Sequence, residues 1–229
     1  MKNTKISILL LVVVSLLIGG CNKQFDQYSQ NPNLPVSVPP YLLLRGVLNS
    51  IPILPNSDEE RWSQFTCRNY TYYGDNRYWT GATSLSYSTL NNLNAMETEA
   101  KSRTGNDINV YSALSKFLKA YIFIGMSLKV GDLPMSEALK KLANQKPKYD
   151  SQKQIFLQSF QLLEDANSQL TTLINNADVS LAGDIYFLER TSGAFTPLVS
   201  LRKRQKVVNT FRRSEEHTSE LQSRGDISY

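Results

Sequence analysis

The sequence predicts an all-α fold, and three observations carry that prediction. Apolar residues recur at three- and four-residue steps through two long stretches between Ile108 and Ile174. A third stretch, 84–101, has the same spacing, and residues that start or stop helices stand where these stretches end. In the first stretch Val110, Leu114, Phe117, Tyr121, Ile124 and Leu128 fall on one helical face. Gly131 follows, free to take the left-handed conformation that closes a helix, and Pro134 keeps the helix from resuming. The connector GDLPMSEALKKLANQKPKYDSQKQ leads to the second stretch, whose stripe is Phe156, Phe160, Leu163, Leu170 and Ile174. Asp150 or Ser151 can cap that helix, and Ser151 with Gln154 has capping-box spacing. Two amphipathic helices this close in sequence pack most simply as an antiparallel pair.

The remaining elements follow in order. Tyr41–Ile51 reads as a helix stopped by Pro52 and Pro55. Ser57 can cap the next, with Asp58, Glu59 and Glu60 in its first turn, where acidic groups suit the helix dipole. Consecutive acids splay around a helix, so this trio is a solvated first turn before it is a catalytic cluster. Tyr70–Trp79, YTYYGDNRYW, is the most aromatic segment, with a turn at Gly74, Asp75 and Asn76. Trp62, Tyr72, Tyr73 and Trp79 are the candidate ligand-binding residues, because aromatic faces stack on the C–H faces of sugar rings. Padding between helices is the commoner use of such residues, and pocket and core aromatics look alike in sequence. The third helix, 84–101, places Leu85, Leu90, Leu93, Met96 and Ala100 near one face, and Thr104–Asp107 breaks it. After Asp178 the pattern decays; 184–187 could start another element, but from Leu188 the apolar period fades.

The N-terminus carries the strongest local signal. Lys2 and Lys5 precede an apolar run, Ile6–Ile18, too short to span a bilayer comfortably. Leu17-Ile18-Gly19-Gly20-Cys21 resembles the bacterial lipobox. That resemblance implies a signal peptide at 1–20, with Cys21 as the mature first residue carrying a diacylglycerol on sulfur and an acyl group on its amine. One chain holds a protein to a membrane only reversibly, at about 0.8 kcal/mol per buried methylene, whereas several chains hold almost permanently. Asn22 is compatible with onward transport to an outer membrane. Residues 21–40, with Asn31-Pro32-Asn33, Pro35, Pro39 and Pro40, read as the tether leading away from lipid.

Cysteine and charge exclude several function classes. With Cys21 lipidated, Cys67 has no intrachain disulfide partner. As a nucleophile it would need a base, and the one histidine, His217, lies in the C-terminal segment set aside below. Serine and cysteine triads and histidine-ligated zinc are thereby excluded, and no enzyme, cofactor or metal is expected. Glu97 with Glu99, and Glu164 with Asp165, point to different sides of their helices and make poor catalytic pairs. The formal charge of +5 comes entirely from both ends: residues 191–229 hold 7 basic and 4 acidic groups, and Lys2 and Lys5 precede Cys21. Residues 21–190 are balanced at 16 of each sign, so no nucleic-acid partner is implied. The bases Arg202, Lys203, Arg204 and Lys206 read as a solvated surface.

The C-terminus reads differently. RSEEHTSELQS, from Arg213, is the translation of a widely used sequencing adapter, and Ile227, Ser228 and Tyr229 match the adapter beyond its variable index. Residues 213–229 are therefore expected to be non-native. Residues 188–212 lie in a doubtful reading frame, and the native protein is expected to continue past the break.

Several stretches together resemble one family, the SusD/RagB nutrient-binding lipoproteins of the Bacteroidetes outer membrane, in the SusD-like branch. They are the lipobox at Cys21, FDQYSQNPNLPVSVPPYLLLRGVL at 25–48, GDLPMSEAL at 131–139, KYDSQKQIF at 148–156 and LLEDANSQL at 162–170. The resemblance covers roughly 22–187 and makes 41–187 the N-terminal part of a SusD-like helical domain. It implies tetratricopeptide-like helical pairs supporting a less regular ligand-binding part. It also implies a cell-surface location, no hydrolysis, and delivery of glycans or other nutrients to a SusC-like TonB-dependent transporter. An unfinished stack of helical pairs leaves apolar surface uncovered, so this chain alone, from Asn22, is expected to be aggregation-prone or molten. The alternative is a lipid-anchored helical scaffold with a protein partner and no small ligand.

Overall fold

Helix follows helix along the described chain: α1 (Pro40–Ser50), α2 (Tyr87–Thr104), α3 (Val110–Val130), α4 (Gln152–Asn175) and α5 (Pro197–Ser223). A 3-10 turn at Lys141–Ala143 and a short antiparallel ladder, β1 (Arg190–Thr191) on β2 (Ala194–Phe195), complete the described elements. In the ladder Arg190 faces Phe195 and Thr191 faces Ala194. The computed structural model describes residues 37–51, 85–177, 182, 184–185, 190–191, 194–195 and 197–223. The all-α class predicted from the sequence is the one the chain adopts. Each helix packs on the next, α1 on α2, α2 on α3, α3 on α4 and α4 on α5, and α1 also reaches α3.

α3 is the centre of this stack. The single stripe expected for it is a partial account: Val110, Leu114, Phe117 and Ile124 are buried, but Tyr121 and Leu128 are exposed. Ala113, Leu118, Ala120, Ile122, Phe123 and Met126, spread around the helix, are buried as well. The reason is position, since a helix with neighbours on several sides buries more than one face. The buried Ser115 and Ser127 hydroxyls satisfy themselves on the carbonyls of Leu93 (3.5 Å) and Gly131 (2.9 Å).

α3 and α4 form the expected antiparallel pair. Ser112, at the start of α3, meets Gln169 near the end of α4, at 3.1 Å from Oγ to Oε1. At the other end Gln152 donates from Nε2 to the Ser127 carbonyl at 2.9 Å. α4 buries Ile155, Phe156, Leu163, Leu170 and Leu173, while Phe160 and Ile174 lie half-buried against the core. That burial contributes on the order of 10 kcal/mol of transfer free energy before chain ordering is subtracted. A helix cap contributes only about 1 kcal/mol, so the stripe holds α4 and the cap fixes where it begins.

The caps set the boundaries. Ser151 caps α4 in the predicted box with Gln154. α3 starts at a box the sequence reading missed, in which Asn109 and Ser112 each bond the other's backbone N–H, at 2.9 and 3.1 Å. α2 starts and ends three residues later than expected, because Gly105, with φ +70°, is its stop and donates its N–H to the Lys101 carbonyl at 2.9 Å. Gly131 closes α3 with φ +78°. A Cβ at Gly105 would meet nothing within 4 Å, so Gly105→Ala isolates the backbone cost of the left-handed conformation. It is expected to destabilise the chain by about 1 kcal/mol, read as a lowered midpoint in urea unfolding.

α5 is where the structure departs furthest from expectation. No glycine or proline interrupts the chain between Pro197 and Gly225, and the helix runs on through residues 213–223. It packs antiparallel on α4: Gln205 donates from Nε2 to Thr171 Oγ1 at 2.7 Å, and Arg212 pairs with Glu164 farther back along α4. Phe211 reaches α3, with ring centroids 6.1 Å from Phe117 and 5.3 Å from Tyr121. Arg204 does not lie on a solvated basic surface. It is 5% exposed, and its guanidinium forks onto the carboxylate of Asp184, itself 1% exposed, with one arm at 2.6 Å. The buried face of α5 reads Leu201, Arg204, Val208, and a charge in the middle of an apolar stripe erases the period that sequence reading relies on.

Candidate functional site

Cys21 and the four candidate aromatics, Trp62, Tyr72, Tyr73 and Trp79, lie outside the described residues. The described chain leaves at Ile51, directly after α1, and resumes at Leu85, directly before α2. Both residues are half-buried against the core. Beyond Leu85 the attachment is firm. The Ser86 N–H lies 3.2 Å from Met126 Sδ, and the Tyr87 hydroxyl donates to the Pro134 carbonyl at 2.6 Å. The Tyr87 ring meets Phe123 edge-on, with centroids 6.4 Å apart. Burial raises the Tyr87 hydroxyl above its usual 10.0, and the nearby Tyr149 and Asp150 add to the shift, so it remains a donor at neutral pH.

Pro134 belongs to the connector between α3 and α4, which is built around Asp150. Leu133 and Asp150 exchange both backbone hydrogen bonds, at 3.2 and 3.1 Å, as an isolated antiparallel bridge. The Asp150 Oδ2 accepts the N–H groups of Met135 (3.0 Å) and Ser136 (2.7 Å), while Oδ1 accepts the Ser136 hydroxyl at 2.9 Å. Burial pushes the Asp150 carboxyl upward, but its hydrogen bonds from Ser136 and Met135 outweigh this and hold it below 3.8. Three donors on one carboxylate make it a brace for the loop. Asp132 accepts the Gln152 N–H at 2.9 Å, and Glu137 accepts the Asn144 side chain (3.0 Å) and the Lys148 N–H (3.3 Å). GDLPMSEAL and KYDSQKQIF, two stretches on which the family resemblance rests, are thus tied together through Asp150.

The acidic pairs singled out in the sequence are each divided between separate partners. Glu97 meets Lys119 at 2.9 Å and Glu99 meets Arg103 at 3.6 Å, whereas Glu164 pairs with Arg212 and Asp165 accepts from Gln161 at 2.9 Å. Among the described residues no three His, Cys, Asp or Glu side chains converge as a metal site would require.

Residues 48–192 match the SusD-like family described as starch-binding and associating with the outer membrane. The chain belongs to this family. A crystal structure of a SusD homologue from Bacteroides fragilis is 28% identical with a TM-score of 0.55, over 77% of this chain and 34% of the homologue. A second SusD homologue from the same species is 27% identical with a TM-score of 0.51, over 66% and 32%. The SusD-like chain therefore spans about a third of the length of these solved relatives. A comparison with curated proteins finds no match. The family match takes in the aromatic segment and the connector, while the arm at 25–47 stands before it and the whole of α5 beyond it. Among the described residues of this SusD-like chain no helix is long and apolar enough to cross a membrane.

Sequence reasoning missed the brace at Asp150 and the pair at Asp184. Asp150 was legible only as one of two possible caps. Its use as a brace depends on Leu133 lying beside it, which chain spacing does not reveal.

Proposed function

We propose that this protein is a cell-surface lipoprotein of the outer membrane that captures nutrient, oligosaccharide first among the possibilities, and delivers it to a SusC-like TonB-dependent transporter. Acyl chains on Cys21 moor it, and Trp62, Tyr72, Tyr73 and Trp79 supply stacking faces to the sugar. The observation that carries this reading is the match of residues 48–192 to a family described as starch-binding and associating with the outer membrane. All four aromatics fall inside that span. Binding without turnover is part of the proposal, and the separate partners of Glu97, Glu99, Glu164 and Asp165 are in keeping with it.

The test is calorimetric titration of soluble oligosaccharides into the protein. Truncating Trp79 or Tyr72 to alanine is expected to weaken binding by roughly tenfold, about 1.4 kcal/mol, for the loss of one stacking face. Unchanged affinity in all four alanine variants would move the site elsewhere. An absence of glycan binding, together with retention on a protein partner, would favour the scaffold reading. The anchor has its own test. Intact mass of the mature protein should carry the acyl chains, and Cys21→Ser should release it from membranes. A reading frame for a SusC-like barrel is expected beside this one.

A further inference from the structure

We draw no further inference here: the strongest candidate, the exposed apolar patch at Tyr121 and Leu128 on α3, bordered by Phe211 of α5 where that ring meets Tyr121, carries none, because nothing in the structure shows what covers it.

Discussion

Replacing Arg204 with alanine is expected to destabilise the chain by about 3–5 kcal/mol, because it leaves the Asp184 carboxylate buried without its guanidinium. Asp184 is 1% exposed, and both its oxygens are taken by Arg204. An ion so placed has lost its water and regains it only if α5 lifts away. Asp184→Ala should cost a similar amount, from the other partner. The double replacement, Asp184→Leu with Arg204→Met, should recover most of the loss, since apolar groups of similar volume need no desolvation. Urea unfolding of the four proteins closes the cycle. A single-variant loss under about 1 kcal/mol, the range of an exposed pair, would mean that the pair is not buried in solution. The same cycle reports on α5, which this pair ties to the segment at 184–185.

Asp150→Ala is expected to cost about 2–4 kcal/mol. The substitution strands the N–H groups of Met135 and Ser136, and each unmatched donor in a partly buried loop costs about 1–3 kcal/mol. Asp150→Asn keeps one acceptor oxygen and should fall between wild type and alanine. The effect should also depend on pH in a defined direction. The folded carboxyl titrates below its unfolded value of 3.8, so its contribution is complete above that value. It drains away as pH falls through 3.8 and then through the lower folded value. Urea midpoints followed from about pH 6 down to about pH 2 should show wild type and Asp150→Ala converging at the acid end. Parallel curves across that range would deny the carboxylate its role as brace.

How much of this was legible in the sequence depends on the range of the interaction. The antiparallel pair α3–α4, the cap at Ser151 and the close of α3 at Gly131 rest on residues within a few positions of one another, and local spacing announced them. The stripe of α4 was largely right because that helix shows its apolar side to the core. The stripe of α3 was partly wrong, because a helix with neighbours on several sides has no single face to announce. α5 went unpredicted for a related reason, its buried face being interrupted by Arg204.

By itself, the sequence determined the helical class, the order of α1 to α4 and some of their ends, Ser151 and Gly131 among them, because 3.6-residue periodicity and capping act within one or two turns. It also supplied the family resemblance, through stretches whose order and spacing are properties of the chain alone. Tertiary structure alone decided that α3 is the core, that Arg204 is inside and paired, and that Asp150 braces the two ends of the α3–α4 connector. Each of these is set by which surfaces meet once water has been excluded, and burial of a charge or a carboxylate is tolerated only where a partner arrives from another part of the chain.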